Sequence, residues 1–397
     1  MNENWDQLLL EYLPRIEACR DALSYDLTLA EWYTHIQDGH GFINGPVLDA
    51  YLGVAPSPLV VRLIEKKPIV TAFRQDSLAK ALGIELGDEL LTVDGESVSL
   101  RLARYHRYQS ASTPDAGDNY ATRLFLSGPA NTSITVRFKG RTQPVKTVRL
   151  PRDPAFYRGG IYNERGHLPV LRVLPGNIGY ADLDRLAPEQ VDSLFERFKD
   201  TKAIIFDMRG YPNGVYNALS ARLTKRTPID GASFWRYSPR MPVWDGASTG
   251  SSTITKSYFK GQLPPPVGPT YGGRVVMLID ERTQSQAEYT GLFLEAATPT
   301  IFIGSPSAGA NGDVTYYRIP GDLTLAFSGN NVSHGDGRQL QRLGIKPTIV
   351  VKPTIAGIRA GRDEVLERAM RYLNQAAPRS PVGKDKASGR QRVSSLD

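Results

Sequence analysis

From residue 177 to residue 372, short apolar runs alternate with stretches of helical periodicity, and this alternation constrains the fold more than any other feature of the chain. Asn177-Ile-Gly-Tyr-Ala-Asp182 reads as a strand. Pro188 to Asp200 reads as a helix whose apolar positions are Val191, Leu194, Phe195 and Phe198. Ala203-Ile-Ile-Phe206 and Val275-Val-Met-Leu-Ile279 are uninterrupted apolar runs of strand length, which belong in the interior of a sheet covered on both faces. Strands and helices in this order predict an α/β layer built on a mostly parallel sheet.

The rest of the chain has a different texture. Trp5, Leu8, Leu9, Tyr12, Leu13 and Ile16, then Leu29, Trp32, Tyr33 and Ile36, recur at helical spacing and predict a small helical lead-in, residues 1–45. It ends at Gln37-Asp-Gly-His-Gly-Phe-Ile43, whose glycines stop the helix and leave His40 in a loop. From 46 to 152, short β-branched runs are divided by Gly, Pro and Asp turns, which predicts a compact β-rich domain. Within it, Tyr105 to Tyr120 reads as an elongated loop or partly helical insert and receives no function. Residues 153–176 are a link into the α/β unit, taken as 153–374. Inside that unit, Tyr237 to Gly273, rich in Ser, Gly and Pro, reads as a long surface excursion. Residues 375–397 are polar and basic and read as a disordered tail.

Composition narrows the partners. The net charge of +7 suits an acidic surface, but Arg379 to Arg392 supply many of the cations with no aromatic residues between them, so nucleic-acid binding is not expected. The single cysteine, Cys19, excludes an internal disulfide and a multi-cysteine zinc site. No run approaches the ~20 apolar residues of a membrane span, and Met1-Asn-Glu-Asn-Trp-Asp lacks the basic start of an export signal. No metal and no cofactor is called for. Ser305 to Gly312 is Gly-rich but lacks the Lys-Ser/Thr ending of a phosphate loop. His334-Gly-Asp-Gly reads as a turn, and His35 as a surface or staple residue.

One serine stands out. Ser285, in Thr283-Gln-Ser-Gln-Ala-Glu288, lies between the run ending at Ile279 and a helix beginning near Tyr289. A hydroxyl on a strand-to-helix junction sits beside the positive end of a helix, with backbone N–H groups available to a developing oxyanion. The plain alternative is a helix cap, because Ser285 and Glu288 also spell the capping box S-x-x-E. Three loops, Asp207 to Gly214, Glu281 to Ser285 and Gly304 to Gly312, follow strand ends, and such loops converge on one crevice in an open parallel sheet.

The segment Asp76 to Gly95 gives a helix, a Gly-Asp turn, a strand and an Asp-Gly hairpin turn, and it resembles a PDZ domain of the kind found in bacterial proteases. The lead-in, this segment, Asn-Ile-Gly-Tyr, Ile-Ile-Phe-Asp-Met-Arg-Gly, Thr-x-Ser-x-Ala-Glu and Gly344-Ile-Lys-Pro347 follow in that order over residues 28 to 372. Together they resemble the carboxyl-terminal processing and tricorn-type serine peptidases, the tail-specific protease superfamily. The resemblance implies a ClpP/crotonase-like, mostly parallel α/β core with a PDZ-like domain inserted. It also implies a serine peptidase acting on protein or peptide substrates, with Ser285 as nucleophile, and a periplasmic or extracellular setting.

A serine hydroxyl needs a base. The processing branch places a lysine about 25 residues past the serine; here that position is Ala310. The tricorn-type branch implies a histidine from a loop near the start of the chain, and Asp38-Gly-His-Gly41 matches, which makes His40 the candidate base. The group orienting it, acidic in that branch, corresponds to Gln341, with Asp38 and Asp336 as alternatives. Oxyanion donors are the N–H of Gln286, or of Ser285 itself, with one from Gly210 or Gly214. The PDZ-like domain would take a substrate strand along its edge or gate the site. A second reading stays open: the same architecture, inactive, binding a peptide or apolar ligand in the crevice.

Overall fold

The computed structural model describes residues 3–141, 144–157, 165, 168–240 and 253–375. Of the expected tail, 375–397, residues 376–397 lie outside the described residues, as do 158–164, 166 and 167 of the expected link and 241–252 of the expected surface excursion.

At the centre is a six-stranded sheet in the order Ile349–Val350, Thr300–Gly304, Arg274–Ile279, Ala203–Asp207, Ile178–Asp182, Leu171–Leu174. All neighbours are parallel except the last pair. The period of two along a strand sorts its side chains onto two faces. Ile204, Phe206, Val275, Met277 and Ile279 face a core shared with Leu194, Phe198, Leu219, Phe293 and Leu294, which come from the helices Val191–Phe198, Tyr216–Leu223 and Gln286–Ala297. Ala203, Ile205, Val276 and Leu278 face the opposite side, where Val365, Ala369 and Leu373 of the helix Glu364–Asn374 cover them. Each central strand is therefore buried on both faces, which is why its sequence is an unbroken apolar run. The fold is mixed α/β in three layers.

Between the lead-in and this sheet the chain forms a separate antiparallel sheet, Leu59–Ile64, Lys67–Phe73, Glu89–Val93, Thr132–Lys139 and Lys146–Arg152, with its own core. In Thr132–Lys139 the buried residues are Ile134, Val136 and Phe138, alternating with exposed ones, as a half-buried strand requires. Asp94 and Gly95, at φ 49° and 81°, make the tight turn that joins Val93 to Glu96. The insert read at 105–120 is largely helical: Val98–Tyr108 and Pro114–Leu124 flank a five-residue loop.

The lead-in helices Trp5–Glu17 and Ala22–Thr34 end just before the strand Phe42–Asn44. That strand pairs with Leu323–Ser328, which pairs in turn with Val314–Ile319. The expected surface excursion is more ordered than its composition implied. Asp230–Arg240 and Thr253–Gln262 form a long antiparallel hairpin, and Ala232 to Trp235 of the first strand pair with Asn331–His334. The aromatic residues Phe234, Trp235, Tyr258 and Phe259 stack across the hairpin in pairs, and this cross-strand packing sustains it.

Candidate active site

The turn at Ser285 is built before its side chain is considered. Thr283 Oγ1 donates to Met208 O at 2.9 Å and accepts from Asp280 N–H at 3.1 Å, which ties the end of one central strand to the loop after its neighbour. Ser285 N–H donates to Ala310 O at 2.8 Å, and Ala308 N–H to Thr283 O at 2.9 Å, so the third strand-end loop is stitched to the same turn. The three loops expected to converge do so around this serine.

Ser285 has φ 56° and ψ −120°, a region that residues with a Cβ rarely occupy and that costs roughly 1–3 kcal/mol. The capping box is not formed. Ser285 makes no side-chain cap bond, because an N-cap residue needs extended backbone and this one is left-handed. Glu288 Oε1 accepts from Ser307 Oγ at 2.5 Å and from Gly309 N–H at 2.7 Å. Fully buried, Glu288 has its carboxyl pushed up to about 8, burial outweighing those hydrogen bonds. It is thus neutral at pH 7 and serves to hold the 307–310 loop.

His40 reaches this turn through its neighbour. Gln284, next to Ser285, donates from Nε2 to the carbonyl of Gly39, next to His40, at 3.0 Å. A Cβ at Gly39 would lie 2.6 Å from that of Ala310, so glycine is required for the loop to come this close. The imidazole is 8% exposed, and its Nδ1 lies 3.0 Å from Ser328 Oγ. Ser328 Oγ donates its only proton to Asp38 Oδ1 at 2.9 Å. Toward the ring this hydroxyl can therefore only accept, which fixes the proton on Nδ1 and leaves Nε2 with a lone pair. Asp38 is itself held, accepting from His40 N–H at 3.0 Å and Ser328 N–H at 2.6 Å. Burial pulls the His40 pKa below its ordinary value, against the opposing charge of Asp38. A neutral imidazole with an open Nε2 can accept a proton from a hydroxyl.

The remaining sequence candidates divide. Gln341 Oε1 accepts from Asn311 N–H at 2.9 Å, so it steadies the 308–312 loop, and the imidazole is oriented through Ser328 instead. Asp336 accepts from Arg338 and, among the described residues, makes no hydrogen bond to that imidazole. Gly214 N–H is taken by Gln286 Oε1 at 3.1 Å. Ser285 N–H is taken by Ala310. Gly210 N–H and Gln286 N–H have no hydrogen-bond partner among the described residues. Gly210 also sits so close to Asp184 that a Cβ would lie 2.5 Å from its Cγ. Ser328 went unnoticed in the sequence. Its hydroxyl is 288 positions from His40 and stands in no motif, so no local signal could have found it.

Among the described residues no group of His, Cys, Asp or Glu side chains could hold a metal ion, and no helix is long and apolar enough to cross a membrane. Residues 177–351 match the family model described as peptidase family S41. Among solved structures the chain is similar to mature CPAF complexed with lactacystin, at 16% identity, covering 94% of this chain and 92% of that one with a TM-score of 0.66. A second structure of mature CPAF matches at 16% identity and TM-score 0.65, over 94% and 90% of the two chains. A structure from Parabacteroides merdae matches at 14% identity and TM-score 0.54, again over 94% and 90%. At these identities the likeness is one of fold.

Proposed function

We propose that this chain is a serine peptidase of family S41, a reading supported by the family match over residues 177–351, with Ser285 as its nucleophile and His40 as its base. The observation that carries this reading is the left-handed backbone of Ser285. A strained, non-glycine residue at a strand-to-helix turn, with no cap bond to account for it, is what an exposed nucleophile needs and a helix cap does not.

The chemistry follows from the geometry. As Ser285 Oγ forms a bond to the substrate carbonyl carbon, its proton passes to His40 Nε2, and the carbonyl electron pair moves onto oxygen. Gly210 and Gln286 offer the two free N–H groups for that oxyanion, one from the loop after Phe206 and one from the first helical residue. The protonated imidazole then gives its proton to the leaving amine, and water repeats the sequence on the acyl-serine. Ser328 and Asp38 hold the ring. When it becomes cationic, the Asp38 carboxylate stabilises it through one intervening hydroxyl. Gln341, which carries no charge, is not needed for this step.

The finer reading extends to the core as a ClpP/crotonase-like layer and to residues 46–152 as a PDZ-like, substrate-engaging domain. Its support is the six-stranded antiparallel sheet, whose short strand Glu96–Ser97 pairs with Glu89–Val93, and the tight Asp94-Gly95 turn. The test is a fluorophosphonate probe followed by mass mapping. Wild type is expected to be modified at Ser285, and Ser285→Ala to remain unmodified. An intact, folded wild type that resists the probe would support the inactive, ligand-binding alternative.

A further inference from the structure

The loop 109–113 and the helix Pro114–Leu124, to which the sequence assigned no role, grip the segment that carries His40. Ser110 Oγ accepts from Asp38 N–H at 3.0 Å, and Ser112 Oγ accepts from Gly39 N–H at 2.8 Å. Tyr120, on the helix, donates from its hydroxyl to Gln284 Oε1 at 2.5 Å, and Gln284 passes the link to the Gly39 carbonyl. Three separate parts of the chain meet here: the antiparallel unit, the lead-in loop and the residue before Ser285. The packing leaves no slack, since a Cβ at Gly39 would also stand 2.9 Å from the Tyr120 hydroxyl. The Tyr120 ring is buried against Ala116 and Ala308.

The same unit is fastened to the central sheet at other points. Arg62 pairs with Asp280 at 3.2 Å and with Glu281 at 2.5 Å, just upstream of Ser285. Arg359 donates to Gly87 O at 2.9 Å, and Lys352 pairs with Asp115 at 2.7 Å. The antiparallel unit is thus seated by ion pairs on the strand-end loops while its hydroxyls reach across to the histidine loop. The Ser285 N–H itself donates to Ala310 O, in the loop after the strand Thr300–Gly304.

We propose that Ser110, Ser112 and Tyr120 are positioning residues for His40, so that the base stands against Ser285 only while the antiparallel unit is docked. This rests on the reading of His40 as the base. Ser110 and Ser112 bond the histidine loop directly, and Tyr120 reaches it through Gln284. Anything that shifts the unit would therefore act on the base.

The test measures the rate of fluorophosphonate labelling at Ser285 as a function of pH, with melting temperature recorded alongside. In the full chain, Ser110→Ala combined with Ser112→Ala is expected to lower the labelling rate by about tenfold to a hundredfold, the usual scale of a small misplacement. Its pH dependence should flatten toward that of His40→Ala. Ser112→Thr, which keeps the hydroxyl, should label faster than Ser112→Ala. Should the double variant fold poorly, Tyr120→Phe retains the buried ring and removes the hydroxyl that bonds Gln284; a lower rate and a flatter pH profile are expected there too. Wild-type rate and pH profile in folded double variant and in Tyr120→Phe, while His40→Ala is impaired, would overturn the clamp alone. Wild-type labelling by His40→Ala would remove the assignment of the base and this inference with it.

Discussion

His40 and His334 are buried to nearly the same depth, 8% and 5% exposed, and each uses Nδ1 toward an acidic side chain, yet their surroundings differ in kind. His334 meets Glu295 directly at 2.6 Å, and Glu295 is bonded as well to Arg338 at 2.9 Å. Burial raises the Glu295 carboxyl, but its bonds to His334 and Arg338 outweigh that and hold it below its ordinary value. That arrangement is a closed ion-pair cluster at the end of a helix. His40 meets its carboxylate only through the Ser328 hydroxyl, and burial keeps the ring neutral. His334 shares its carboxylate with Arg338 and so ties two chain segments together. At His40 a hydroxyl in between orients the ring and leaves its far nitrogen open.

The largest expected effect separates the two rings. His40→Ala should lower the rate of fluorophosphonate labelling by about a thousandfold, whereas His334→Ala should leave it unchanged and lower stability by about 1–3 kcal/mol, because Glu295 loses a partner. Equal losses of labelling in both variants would erase the distinction.

A smaller effect sharpens it. Ser328→Ala removes the hydroxyl but leaves His40 and Asp38 in place, and labelling should fall by about tenfold. In the wild type, labelling should decline as pH drops through the His40 pKa, which lies below the ordinary value near ~6.5 because protonation there means charging a buried ring. A midpoint above the ordinary value would mean that the Asp38 charge, rather than burial, governs the ring.

The smallest effect concerns Glu288, a buried acid that supports the site with no part in the chemistry. Its folded-state pKa of about 8 lies above that of an ordinary carboxyl, so the folded chain retains a proton that the unfolded chain has released. The sign follows from that difference: stability is fully present below the ordinary carboxyl range and is lost as pH rises through about 8. Glu288→Gln should remove this slope in a melting-temperature series taken across that range, with little change in labelling.

The parts of this molecule that were legible in its sequence are those whose causes are local. Ala203 to Phe206 and Val275 to Ile279 announce central strands because burial on both faces leaves no room for a polar residue. Asp94-Gly95 announces its turn because few residue pairs accept two positive φ angles. The pairing of Asp230–Arg240 with Thr253–Gln262 was hidden by the Ser, Gly and Pro content of this stretch; its aromatic pairs are visible only once the strands are set in register. At the site, Thr-x-Ser-x-Ala-Glu could not distinguish a cap from a strained turn, since Ser285 and Glu288 spell both. The difference lies in where Ser307, Gly309 and Ala310 stand. Ser328 was illegible for a similar reason, because a hydroxyl at a strand end acquires meaning only from the ring set beside it.

The pairing of Phe42–Asn44 with Thr324 to Ala326 also has a consequence in time. Chain synthesis runs from the amino terminus, so His40 is made long before Ser328 and the strand Leu323–Ser328 with which its own strand pairs. A chain that has made Ser285 but not yet residues 323–328 lacks both Ser328 and the strand that holds the histidine, so the proposed pair cannot form in it. A copy stopped between the two would be harmless to its neighbours.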